Sequence, residues 1–288
     1  MLYTSPNEFN WNATNVGSTF TDTGMGTQLT AGGTNHTKNA TPTSLLAGAS
    51  VTEDVYWISI LFTGGSSSGA SRRFLTNFYV DPAGGTSWES SPRIANLAAN
   101  CPSLVQGGVL YHFPLFIKAG SSIGAACQAE TASATVRCSI RVFGKPSNPE
   151  MVKSGSKVVT YGATTASTVG TTFTPGASGA MGSYSGSLGT TSYDHFFWQM
   201  GILINDTTQT AVQYLCNLEV GDASNKRPVI EQMQHTNAGT VEQAGSPSAW
   251  GMGSPWKRTK AGDLIYVRGA CTGTADSNLS AIAYAVAP

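Results

Sequence analysis

Charge is scarce in this sequence. Only 11% of its 288 residues are Asp, Glu, Lys or Arg, less than half of the roughly 25% usual in soluble domains. The shortage removes the residues that clothe the outer face of ordinary helices. Sixteen basic and sixteen acidic residues also cancel, so no electrostatic footprint exists to hold a phosphate backbone or an anionic membrane surface. Neither nucleic acid nor membrane is an expected partner. No run approaches the ~18 apolar residues of a membrane span. The opening Met1-Leu2-Tyr3-Thr4-Ser5-Pro6 has neither the basic nor the apolar segment of a classical export signal, and the expectation is a chain made in a cytoplasm.

Cysteine is also scarce. The five, at 101, 127, 138, 216 and 271, are an odd number and lack CxxC spacing, which speaks against a zinc or redox site and against a disulfide framework. Buried free thiols are expected. The alternative is a bridge between Cys127 and Cys138 across one hairpin. The histidines at 36, 112, 195 and 235 form no H-x-x-x-H pair and have no carboxylate at ligand spacing. No metal and no cofactor are expected.

Glycine, serine, threonine, asparagine and alanine fill the space, and within them the sequence repeats itself. Lys118-Ala119-Gly120-Ser121-Ser122-Ile123 returns as Lys260-Ala261-Gly262-Asp263-Leu264-Ile265, and Ile282 follows Lys260 at the same interval as Ile140 follows Lys118. The same offset sets Gly269 and Ser280 in the places of Cys127 and Cys138, so the repeat itself does not require a bridge. Val16-Gly17-Ser18-Thr19-Phe20-Thr21 returns as Val169-Gly170-Thr171-Thr172-Phe173-Thr174. Trp57, in an apolar run at 55–62, matches Trp198, in one at 196–203. Phe74–Val80 matches Tyr214–Val220 with an asparagine kept at 77 and 217. These runs are short, β-branched and aromatic, and read as strands. Turn-rich stretches such as Asp81-Pro82-Ala83-Gly84-Gly85 separate them. Ile123, Ala125 and Cys127 share one face of a first strand and Val136, Cys138, Ile140 and Val142 one face of a second, with Arg137, Ser139 and Arg141 on the other side, as in an antiparallel strand pair with one face in a core. Only Ile94–Ala99 suggests a turn or two of helix. The pattern predicts an all-β protein of two tandem, duplicated antiparallel β-sandwich or jelly-roll-like domains. Their bounds are an N-terminal arm at 1–15, domain 1 at 16–145, a linker at 146–157 and domain 2 at 158–288.

Catalytic motifs are thin. Gly65-Ser66-Ser67-Ser68-Gly69 satisfies G-x-S-x-G, but a nucleophile elbow needs a strand turning into a helix, and here a strand follows. Asp54 and Asp194 precede matched strands. A glycosidase pair is one reading; a structural role at each strand entrance is the simpler one, because each holds the same place in its own half. Trp250 and Trp256 flank Gly251-Met252-Gly253-Ser254-Pro255, and neither has a tryptophan counterpart in the first half; they either stack on a sugar or partner or close the domain's end. Phe9 and Trp11 sit on an arm that either lies on its own domain or docks on a neighbouring subunit.

The stretch Phe113-Pro114-Leu115-Phe116-Ile117-Lys118-Ala119-Gly120-Ser121-Ser122-Ile123, followed by a small-residue strand and Gln128 in a Ser/Thr/Gly-rich, cysteine-poor body, resembles virion structural proteins of tailed bacteriophages, particularly those of marine and aquatic hosts. The second copy departs from it with Trp256-Lys257-Arg258-Thr259 ahead of Lys260. The resemblance implies a non-enzymatic virion protein acting through assembly: a head decoration, cement or spike protein partnered by the major capsid protein or other virion proteins. The alternatives are a tail-fibre protein recognising host surface glycans and, further off, a polysaccharide-active enzyme. It also implies a symmetric homo-oligomer, with a trimer preferred. On the last strand, the face that bears Arg137, Ser139 and Arg141 in the first half reads Leu279, Ala281, Ala283, Ala285 and Ala287. Small side chains there suggest a strand approached closely by another surface, either domain 1 or an adjacent subunit.

Overall fold

The computed structural model describes residues 8–11, 26–63, 73–100, 109–145, 153–163, 170–204, 212–237, 244–245, 257–273 and 279–288. Its architecture is all-β. In the first half, β1 (Glu8–Trp11), β9 (Thr135–Phe143), β4 (Trp57–Thr63) and β7 (Val109–Phe113) lie side by side in that order, with β2 (Thr27–Thr30) also on β9. Against them stand β6 (Ile94–Asn100), β5 (Arg73–Asp81), β8 (Ser122–Ala129) and β3 (Thr43–Leu46), again in order. The chain crosses from one sheet to the other at almost every connection, and this is the strand order of a jelly roll.

The second half uses the same order. β10 (Lys157–Tyr161) and β11 (Thr171–Phe173) pair with β18 (Leu279–Ala287), followed by β13 (Phe197–Ile204) and β16 (Ala244–Gly245). The opposing sheet is β12 (Gly189–Thr190), β17 (Leu264–Cys271), β14 (Val212–Gly221) and β15 (Lys226–Asn237). The two sandwiches are fused: β6 of the first pairs in parallel with β10 of the second at Ile94 and Val158. A single nine-stranded sheet therefore runs through both halves. At β13 and β18 it is covered on one face by the β12–β17–β14–β15 sheet and on the other by the first sandwich, where Tyr111 and Phe113 meet Tyr284 and Trp57 meets Phe197.

Local chemistry explains the strongest sequence repeat. Asp54 Oδ1 accepts the Ala119 N–H at 2.8 Å, and Asp194 Oδ1 accepts the Ala261 N–H at 3.0 Å. Gly120 and Gly262 take φ values of 81° and 93°, a region open to glycine at no steric cost. Lys-Ala-Gly thus forms a tight turn that each aspartate pins to the entrance of β4 or β13.

Pairing registers correct the frame of the other matches. Ile58 faces Val142 and Ile60 faces Ile140 in the first core, whereas Trp198 faces Ala285 and Met200 faces Ala283 in the second. The structural counterpart of Trp198 is therefore Ile58 rather than Trp57, and the same step carries Asp54 to Asp194 and Asn77 to Asn217. Ile140 corresponds to Ala283 rather than Ile282, because the chain from Ile265, which faces Val220 as Ile123 faces Val80, to Ala283 is longer by a single residue than that from Ile123 to Ile140. A one-residue slip exchanges the two faces of a strand, so the alanine run is not an outer face. Ala281, Ala283 and Ala285 are fully buried inside the second sandwich, and Ile282, Tyr284 and Val286 pack into the first. The alanines leave room for Trp198 and Met200 directly opposite, volume that Ile140 and Val142 supply in the first half.

Two further expectations are corrected. Ile94–Ala99 is not helical but lies in β6, where small residues suit a strand pressed between β5 and the second sandwich. β8 and β9 are not a hairpin pair: β8 bonds β5 and β3, and β9 bonds β1, β2 and β4. Alternation alone cannot separate a strand's ladder partner from the strand facing it across the core. Cys127 and Cys138 consequently lie in opposed sheets and are free thiols, as are Cys216 and Cys271.

Candidate interaction surfaces

The asparagine kept between the two halves marks a bulge. Asn77 Oδ1 accepts the Asn96 N–H at 2.9 Å, and Asn217 Oδ1 accepts the Gln232 N–H at 2.7 Å. Both donating residues, Asn96 and Gln232, sit in the left-handed region, with φ of 52° and 49°, where the β5–β6 and β14–β15 registers shift. A carboxamide oxygen is well placed for this, because a bulge leaves a backbone N–H without its ladder partner. The sequence around each bulge also corresponds, Pro92-Arg93-Ile94-Ala95-Asn96-Leu97 with Pro228-Val229-Ile230-Glu231-Gln232-Met233.

At the first bulge the structure shows what such an edge does: it welds the sandwiches together. The Val158 N–H donates to Arg93 O at 2.8 Å and Thr160 Oγ1 to Ala95 O at 2.5 Å. Asn96 Nδ2 donates to Ala163 O at 3.1 Å, and the Tyr284 hydroxyl donates to Asn96 O at 2.9 Å while accepting the Ala98 N–H at 2.8 Å. Tyr111 Oη donates to Ala98 O at 2.7 Å. Gly201 keeps this contact close: a Cβ there would lie 2.9 Å from Tyr111 Oη and 3.2 Å from Ala98 Cβ. Lys38 Nζ donates to Asn96 Oδ1 and Gln128 Oε1 at 2.6 and 2.8 Å, and burial pulls its pKa down to about 8.

The second bulge lies on an edge that no described strand occupies. Among the described residues β15 pairs on one side only, with β14. In the first half, β1 stands to β9 as β10 stands to β18: Asn10 faces Val142, and Val159 faces Ala285. The N-terminal arm, carrying Phe9 and Trp11, thus has its backbone laid on its own domain at a sheet edge.

The remaining sequence candidates separate. Trp250, Trp256, Ser67, Cys101 and the segment Val16–Thr21 lie outside the described residues. The histidines form no ligand cluster among the described residues. His195 is buried, with Nε2 at 2.8 Å from Tyr161 Oη and Nδ1 at 3.2 Å from Val286 O, and His112 Nδ1 lies 2.7 Å from Ser59 Oγ. Burial lowers the pKa of both. His235 stacks on Tyr214 at 6.0 Å inside the second sandwich; burial drives its pKa down to about 4, and its Nε2 has no partner among the described residues. Burial likewise pushes the Cys127 and Cys216 thiols up to about 12. Among the described residues no three His, Cys, Asp or Glu cluster as metal ligands, and no helix is long and apolar enough to cross a membrane.

No protein-family model matches the sequence. No curated protein matches it. Similar solved structures include the STIV MCP, at 12% identity and a TM-score of 0.36, covering 91% of this chain and 96% of that one. The Broad Bean Stain Virus structure is similar at 9% identity and a TM-score of 0.32, covering 91% and 87%. So is the CBM22 tandem from Paenibacillus barcinonensis Xyn10C, at 12% identity and a TM-score of 0.23, covering 84% and 80%. Likeness at these TM-scores carries no argument about this chain.

Proposed function

We propose that the chain is a non-enzymatic virion structural protein of a tailed phage, an auxiliary head protein of the decoration, cement or spike type. The observation that carries this reading is the fused pair of jelly rolls whose joining edge recurs, bulge included, on the second domain as an edge open among the described residues. An exposed sheet edge is a template for another strand, and jelly rolls are recurrent shell-building units. The resemblance of residues 113–123 to phage virion proteins supports the same reading. So does the low charge, which leaves broad Ser-, Thr- and Gly-rich surfaces with little electrostatic cost of close packing.

The test is direct. Purified chain added to empty phage heads should bind to saturation and raise the melting temperature of the heads. Binding to host cells or their polysaccharide, with none to heads, would overturn the head assignment in favour of a receptor-binding fibre.

A further inference from the structure

We infer that the outer edge of β15 receives β1 of a second copy of this chain, in parallel, so that copies join head to tail. The template is inside the molecule. The bulged edge of β6 already takes a parallel strand, β10, and β15 repeats that edge with the same Asn-capped bulge and the same Pro-x-Ile lead. Pro228 does not blunt it, because Pro92 holds the same place at the edge that is occupied. β1 is the counterpart of β10 by its register on β9, and it lies at the end of its sheet. The inference stands on this sheet geometry and holds whatever particle the chain belongs to.

The side chains at the corresponding contact differ in a complementary sense. In the internal join Tyr284 meets Asn96, and Thr160, directly opposite Tyr284, reaches Ala95. The counterpart of Ala95 is Glu231, half-buried, and that of Tyr284 is Arg141, exposed on β9. A second copy docked as β10 docks would set its Arg141 beside Glu231. The apolar face of Ile282, Tyr284 and Val286 is replaced in the first half by Ser139, Arg141 and Phe143. The contact between copies is therefore strand addition with a charged pair, weaker and more reversible than the apolar join within the chain. Because two different surfaces meet, the product is a closed ring or an open filament.

Charge exchange tests it. By sedimentation velocity at about 20 µM, wild type should associate, while Glu231→Arg and Arg141→Glu should each weaken association at least about tenfold. Mixed one to one, the two variants should associate again, because each edge then meets its opposite charge. A monomeric wild type at about 100 µM, or single variants that associate like wild type, or a mixture that stays monomeric, overturns the inference. Amide exchange over residues 229–233 of wild type, compared at about 1 and about 100 µM, gives a reading free of substitutions. Protection should rise with concentration there, and its absence would contradict a covered edge.

Discussion

Removing one oxygen at the join between the sandwiches should cost more than its size suggests. Tyr284→Phe keeps the ring against Tyr111 and Phe113 but deletes the hydroxyl that accepts the Ala98 N–H and donates to Asn96 O. Ala98 is 1% exposed, so its N–H has no water to turn to, and an unsatisfied buried donor costs about 1–3 kcal/mol. Asn96 is half-buried and its carbonyl loses less. A total of about 2–3 kcal/mol follows, a change of roughly 30- to 160-fold in the folding equilibrium. At about 2–4 °C per kcal/mol for a chain of this class, the midpoint should fall by roughly 4–12 °C. Urea and thermal unfolding followed by tryptophan fluorescence measure both. Tyr193→Phe is the control, since that ring is 44% exposed and its hydroxyl accepts only a 3.3 Å bond from Lys157 Nζ; it should change stability by less than about 0.5 kcal/mol. Indistinguishable losses for the two variants would refute the hydrogen-bond account of the join.

Ala283→Arg should prevent folding of the second sandwich, because it places an unpaired charge opposite Met200 at a cost of several kcal/mol, whereas Arg141→Ala should leave the fold intact. Circular dichroism of the two variants checks this; a well-folded Ala283→Arg would mean the alanine face is outside after all. Acid should destabilise the chain through His235. Its folded pKa of about 4 lies below the unfolded value of about 6.5, so the unfolded state binds the extra proton and stability falls as pH drops from about 6.5 through 4, by up to roughly 3 kcal/mol. His235→Gln should flatten that part of the pH–stability curve, and an unchanged slope would remove His235 as its source. Cys127, Cys138, Cys216 and Cys271 should resist a thiol reagent in the native state and react on unfolding, with rapid native labelling of any of the four contradicting their burial.

Much of this was legible in the residues, for definable reasons. Strands such as Trp57–Thr63 announce themselves by β-branched and aromatic content, and the Lys-Ala-Gly repeat reports a turn whose glycine and aspartate are both chemically required. The frame of the last strand was not legible. β18 is buried on both faces, so its pattern has no polar side to fix the register, and an offset carried forward from the Lys-Ala-Gly repeat misses the residue added before β18. The repeated pair Asn77 and Asn217 did carry a signal for the bulges, since asparagine is depleted in strands and needs a reason to recur there. Nothing local marks Tyr284 or the β6–β10 pairing as a join, because the partners are distant in the sequence and meet only through the assembled sheets.

The proposed function has this chain work by assembling on a virus head. The measurement that meets it most directly is electron microscopy of intact particles decorated with an antibody to the chain. Label distributed over the head surface in a regular array is the predicted result. Label confined to tail or fibre tips, or absent from particles altogether, would contradict the claim.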